Sequence, residues 1–329
     1  MNVIILAQTS FWFSDQTLDL IHNWDHYFGS VLYPLSVLFH YIGGSVFFLC
    51  LVSFIYAYLR PKLAFELAIA LLTSGVFGLL TKFYLESPRP FPYPEAYDEK
   101  AFGMPSSHVY SSFVVWGLLA YRIPNLLMRF ISVFIILFMP FSRMYLKVHF
   151  LGDVSLGFVL GAIHLFICIL ILQKLDKINL SHYFIQSEKY QTLSLLGIVI
   201  TLSPIVLNSP FLSAEHYQSL SAVLMSSGSL AGFWIGILYY PRFSKHKFLT
   251  WSLKFTDDPN FWKIVVIRAI VLLLILILFY VIPGIIIKAS ILKDDLIIRY
   301  LRYMLVTFSL ILFFPILMQR IASGKYFVY

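Results

Sequence analysis

Residues 150–172 read FLGDVSLGFVLGAIHLFICILIL, an apolar run whose one charged residue, Asp153, stands near its start. Roughly 20 apolar residues is the length an α-helix needs to cross the hydrocarbon core of a bilayer. Gly157 and Gly161 within the run have the small-xxx-small spacing that lets two membrane helices approach closely. Outward from this run, segments of the same character lie at about 31–59, 63–84, 107–122 and 125–142 on the N-terminal side. Others follow at about 192–208, 219–240, 264–287 and 298–319, and Gly228, Gly232 and Gly236 repeat the small-residue spacing in the second of them. The expected fold is all-α, a polytopic membrane helix bundle of about nine spans.

Composition points the same way. The chain is 60% hydrophobic and 12% charged, with mean hydropathy +0.83, whereas a soluble domain carries about 25% charged residues. The net charge of +8 does not indicate nucleic acid, because lysine and arginine are spread along the chain at the ends of apolar runs instead of clustering on one soluble face. They set orientation instead. With the N-terminus outside, inner loops hold Arg60 and Lys62, Arg122 and Arg129, and Lys174, Lys177 and Lys189, with Arg242 and its lysine neighbours further on. The outer segment before the first span holds Asp15, Asp19 and Asp25 and no lysine or arginine; the last outer loop, with Lys288, Lys293, Arg299 and Arg302, fits less well. Cys50 and Cys168 each sit inside an apolar run and read as packing residues, not as a disulfide or metal pair. Residues 1–28 read as an N-terminal interfacial segment, with Trp12, Trp24 and Tyr27 at headgroup depth. The longest extramembrane loop, about 85–106, is broken by Pro88, Pro90, Pro92, Pro94 and Pro105.

Three short polar motifs interrupt this background. His149 and Asp153 are four residues apart, one helical turn on a shared face. A carboxylate placed there accepts the proton of one imidazole nitrogen and leaves the other as a nucleophile; taken alone, the pair would equally suit a capped helix start. Arg143, after Ser142, presents a fork suited to phosphate oxygens. Pro105, Ser106, Ser107 and His108 open the 107–122 run, where free backbone N–H groups and the helix dipole favour an anion and His108 is placed to protonate a leaving oxygen. An ordinary serine N-cap reads the same locally. Lys82 closes the 63–84 run and Arg89 follows in the loop. Singly, a lysine there snorkels, but ionisable groups recurring near membrane depth in one coherent set indicate function. Under the N-out orientation all three motifs share the outer face.

In order and spacing, Lys82, Arg89 and Pro90, then Pro105, Ser106 and His108, then Ser142, Arg143, His149 and Asp153 resemble the signature of the type 2 phosphatidic acid phosphatase superfamily, which includes vanadium haloperoxidases and glucose-6-phosphatase. Ser107 departs from the glycine usual there but still supplies a backbone N–H. The resemblance implies a six-helix phosphatase core over residues 29–210, followed by a three-helix membrane extension over 211–329. It implies that Lys82, Arg89, Arg143, Ser106 and the amide of Ser107 bind phosphate, that His149 is the nucleophile oriented by Asp153, and that His108 is the acid and then the base. No metal or other cofactor is implied, because three cations can stabilise the charge that Mg²⁺ handles elsewhere.

The expected activity is a lipid phosphate or pyrophosphate phosphatase working through a phosphohistidine at the outer face, with membrane lipids as surroundings and a phosphorylated lipid as substrate. The alternatives are a lipid phosphotransferase and a sugar-phosphate phosphatase, suggested by a nine-span topology like that of glucose-6-phosphatase. The Gly103–His108 run instead looks like lipid phosphatases of the sphingosine-phosphate and dolichyl-pyrophosphate type. A non-catalytic transporter is a distant alternative, since it has no need of a nucleophile-plus-acid histidine pair. Short loops point to a bacterial inner membrane. Tyr93, Glu95, Tyr97, Asp98 and Glu99 lie between the first two motifs as candidate headgroup filters, although a solvated loop accounts for each of them as well.

Overall fold

The computed structural model describes residues 11–90, 101–177, 188–243 and 261–321, and among these there is no strand. The loop residues 93–99 named above lie outside them. In chain order the helices are α1 (Asp15–His22), α2 (Asp25–Ile42), α3 (Ser45–Phe54, running into a π turn, Ile55–Leu59), α4 (Pro61–Leu85), α5 (Ser107–Arg122) and α6 (Leu126–Tyr145). They continue as α7 (Leu151–Lys177), α8 (Glu188–Leu202, then a 3₁₀ turn, Ser203–Leu207), α9 (Ala214–Phe243), α10 (Phe261–Leu276, then a π turn, Ile277–Val281), α11 (Ile282–Lys288) and α12 (Leu296–Ile321).

Six stretches are long and apolar enough to span a bilayer alone: Pro61–Leu85, Leu126–Tyr145, Leu151–Lys174, Ala214–Tyr240, Trp262–Lys288 and Leu296–Met318. The chain is therefore a multi-pass membrane protein. The α2–α3 pair passes the same test only as a broken span, bent by 62° at the Gly43–Gly44 step. Helix Ser107–Arg122 is short, and Gln191–Leu207 is apolar but also short. All nine expected segments are thus helical, and nine spans remain compatible with three of them being broken or short.

The chain divides into two compact units interleaved in sequence. The first holds residues up to 50, 74–172 and 208–222; the second holds 51–73, 173–207 and 223 onward. Both draw on residues from either side of position 210.

Within the first unit, α5, α6 and α2 pack in series. Asn125 caps α6 by accepting the N–H of Met128 at 3.1 Å. Phe39 of α2 meets Phe138 of α6 edge to face at 4.6 Å, and the Ser142 hydroxyl donates to the Ser36 carbonyl at 2.9 Å. Two of the glycines of α7, Gly157 and Gly161, face α5. A Cβ on Gly157 would stand 2.8 Å from the Ser106 carbonyl oxygen, and one on Gly161 would stand 2.7 Å from Phe113 Cβ. The small residues therefore set the close approach that brings Asp153 under the start of α5. At the N-terminal end Phe13 packs edge to face on Phe150 and lies against Gly152, while Trp12, Trp24 and Tyr27 are exposed.

Within the second unit the glycines of α9 do the same against α12: Gly228 and Gly232 meet the Tyr300 and Met304 carbonyls, and Gly236 meets Ile311. Each π turn here has an arginine on one of its carbonyls. Arg268 Nη1 donates to Ala57 at 2.8 Å, and Arg302 Nη2 donates to Tyr280 at 3.2 Å. A π turn misaligns the helical hydrogen-bond ladder, and in a membrane a freed carbonyl needs a protein donor.

Candidate active site

The third motif occupies the connection from α6 to α7. Helix α6 ends just beyond Arg143, Lys147 turns the chain with φ 54°, and the Val148 N–H returns to the Arg143 carbonyl at 3.2 Å. His149 therefore precedes α7 instead of sitting in it. Asp153, in the first turn of α7, reaches back: its Oδ2 accepts the Phe150 N–H at 3.0 Å and lies 3.2 Å from His149 Nδ1. The expected pairing forms, with the carboxylate acting also as a helix-start acceptor.

The other imidazole nitrogen, Nε2, lies 3.3 Å from Arg89 Nη1. A guanidinium can only donate, so Nε2 carries the lone pair and Nδ1 carries the proton directed at Asp153. Both His149 and Asp153 are fully buried. Burial is the largest cause holding the His149 pKa well below the ordinary histidine range; Arg89, Lys82, Arg143 and then His108 add to it. The ring is neutral with its lone-pair nitrogen facing a cation.

The first motif supplies two of those cations. Lys82, in the last turn of α4 and almost fully buried, donates through Nζ to the Phe102 carbonyl at 2.7 Å and the Gly103 carbonyl at 2.8 Å. Arg89 donates to Ala101 through Nε at 2.7 Å, to Val148 through Nη1 at 2.9 Å and to Phe102 through Nη2 at 3.3 Å. The returning loop passes so close to Asp153 that a Cβ on Gly103 would stand 2.9 Å from Asp153 Oδ2 and 2.8 Å from the Pro88 carbonyl oxygen. Only glycine fits there.

The second motif begins after a cis Met104–Pro105 bond. Ser106 holds the N-cap position of α5 but its hydroxyl makes no capping bond; Oγ is buried without a hydrogen-bond partner among the described residues. The Ser106 N–H instead donates to the Asp153 carbonyl at 2.9 Å, tying the second motif to the third. A buried hydroxyl with no protein partner is a group in need of a ligand, and it stands where the first turn of a helix favours an anion. Ser107 and His108 follow as the first two residues of α5, both half-buried.

Arg143 is fully buried, and its Nη1 lies 2.7 Å from His40 Nδ1 on α2. The His40 ring also stacks on His108, with centroids 5.3 Å apart and planes 19° apart. His40 was absent from the sequence-derived set. The signal available was an ionisable residue inside an apolar run. His216 was missed too: its Nε2 lies 3.0 Å from Glu86 Oε1, and its ring packs edge-on against Phe83 and Phe102. It therefore braces the segment whose carbonyls hold Lys82 and Arg89. Ser142, counted in the motif, donates its hydroxyl hydrogen to the Ser36 carbonyl of α2. Among the described residues no three His, Cys, Asp or Glu side chains come together as a metal ion would require.

A buried imidazole with a carboxylate on one nitrogen and a cation on the other, set in a multi-pass membrane protein, is the equipment of a phosphatase-type hydrolase. The family model of the PAP2 superfamily matches residues 63–177, the stretch that carries all three motifs, and that segment of the chain is similar to the PAP2 superfamily. No curated protein and no solved structure matches the chain.

Proposed function

We propose that the protein is a metal-independent lipid phosphatase that removes a terminal phosphate, or cleaves a pyrophosphate, on a lipid headgroup at the outer membrane face. The observation that carries this reading is the two-sided clamp on His149, with Asp153 on Nδ1 and Arg89 beside Nε2. It leaves a lone pair on the nitrogen nearest the cations, which is what attack on phosphorus needs. The outer face is favoured by the loop charge bias, and the setting that fits best is a bacterial inner membrane.

Lys82, Arg89 and Arg143 hold the phosphate oxygens, with the Ser106 hydroxyl and the Ser107 amide donating to them. His149 Nε2 attacks phosphorus, the P–O bond to the leaving group breaks, and the departing oxygen takes a proton from His108. Asp153 supports the positive charge that develops on the His149 ring. Water then attacks the phosphohistidine, His108 takes its proton, the P–N bond breaks and inorganic phosphate leaves. The half-burial of Arg89, Ser107 and His108 is consistent with a headgroup entering on that side while its tail stays in lipid.

The test is phosphate release by the purified full chain from phosphatidic acid, phosphatidylglycerol phosphate, undecaprenyl pyrophosphate and a sphingoid phosphate, with phosphatidylcholine as a diester control. Wild type should turn over at least one phosphorylated lipid in EDTA and be inhibited by vanadate, and His149→Ala should lose at least about 10⁴-fold. Equal activity in His149→Ala, or a strict Mg²⁺ or Zn²⁺ requirement, would overturn the proposal. Release from a soluble sugar phosphate but from no lipid would move the substrate to the sugar-phosphate class.

A further inference from the structure

We propose that His40 is a positioning residue of the phosphate site, fixing the Arg143 guanidinium through Nδ1 and the plane of the His108 ring through stacking. This rests on the reading of Arg143 as a phosphate ligand and His108 as the acid. Three observations on separate residues support it. Arg143 Nη1 is 2.7 Å from His40 Nδ1, a short charge-assisted contact. The His40 and His108 rings lie nearly parallel at 5.3 Å. The third is Gly43, one turn after His40 at the break in the span: a Cβ there would stand 2.8 Å from His108 Cδ2 and 2.9 Å from Met139 Cε. The end of α2 thus closes on the acid histidine from two directions.

The chemistry fixes the state of the ring. Arginine offers only donors, so His40 Nδ1 must accept, and the ring is neutral with its proton on Nε2. A charged imidazolium would lose that bond and face the Arg143 guanidinium. The neutral ring pins one corner of a planar five-donor fork, and this fixes how the remaining N–H groups are presented. The flat face that His40 lends to His108 restricts the swing of the acid between the leaving oxygen and the attacking water. A residue one span away, touching neither phosphorus nor the leaving group in this arrangement, thereby controls both binding and proton transfer.

Two substitutions separate the two roles. His40→Asn puts an oxygen acceptor where Nδ1 stands but removes the ring; His40→Phe keeps a flat ring but removes the acceptor. The probes are orthovanadate, for binding, and p-nitrophenyl phosphate, for turnover, both with the full chain in lipid nanodiscs. His40→Phe should weaken vanadate and raise KM by about tenfold or more, as expected for losing a hydrogen bond to a charged group, with kcat within about threefold of wild type. His40→Asn should bind vanadate within about threefold of wild type and lower kcat by about tenfold.

The proposal is overturned if both variants match wild type, or if both lose binding and turnover in parallel without the split. Arg143→Gln and His149→Ala run alongside. If Arg143→Gln binds vanadate as wild type does, the underlying assignment of Arg143 fails. If Arg143→Gln loses binding while the His40 variants do not, only the role of His40 fails.

Discussion

Each unit of this protein holds buried or half-buried cations, and it uses them differently. In the first, Lys82, Arg89 and Arg143 all act on one imidazole, His149, whose proton affinity they lower together. In the second, Arg268 and Arg302 each meet a carbonyl of a separate π turn, and Arg302 also lies over the Tyr280 ring at 4.6 Å. On the proposed reading, convergence on one titratable group is what puts charge to catalytic use. Dispersal over backbone carbonyls makes it structural.

One pair of variants separates the two uses of buried charge most clearly. Arg143→Gln should lower kcat/KM by about 10²–10³-fold, the usual effect of removing one donor from a charge-stabilising site. Arg268→Gln should leave kcat/KM within about threefold but destabilise the protein by about 1–3 kcal/mol through the lost bond to Ala57, read as a fall in melting temperature in detergent. The reverse pattern would erase the distinction.

A smaller effect comes from pH. The unfolded chain protonates His149 as pH falls through about 6.5, while the folded site keeps the ring neutral to well below that. Between the two the unfolded state binds more protons, so stability present above about pH 6.5 is lost as pH falls, at up to about 1.4 kcal/mol per pH unit for this group. His149→Asn should flatten that slope in melting curves between about pH 7 and 5. An unchanged slope would mean that the buried neutral ring is not its source.

The smallest effect belongs to His216. Its partner Glu86 is about half exposed, and such pairs contribute about 1 kcal/mol or less. His216→Gln should raise KM for the preferred lipid phosphate about two- to fivefold by loosening the Phe102 segment. A larger change in kcat than in KM would place His216 in the chemistry.

What could be read in advance follows the range of the contacts. The His149–Asp153 pair is local, four residues apart, and its spacing in sequence is its geometry in space. Span lengths are local too, which is why nine helical segments were recoverable. The break at Gly43–Gly44 was not, because an apolar run with two glycines reads as one long span until something packs into the kink. His40 and His216 lie 103 and 130 residues from their partners Arg143 and Glu86, and nothing in their immediate neighbours announces those contacts. Ser142 shows the converse: it sits inside a motif, yet its hydroxyl serves the packing of α2.

The carbonyls of Ala101, Phe102 and Gly103 already take hydrogens from Lys82 and Arg89. Under the proposed function, binding a headgroup at this site would be an exchange of partners, in which a phosphate oxygen must outcompete these neutral amide carbonyls for the N–H groups they hold. A terminal phosphate, close to doubly charged near neutral pH, is well placed to win that competition; a singly charged phosphodiester is far less so. Most phospholipids surrounding such a protein are diesters. If the proposed function holds, the same backbone oxygens that hold the cations in place would serve as a threshold against bulk lipid, and the phosphatidylcholine arm of the lipid panel reads that threshold directly.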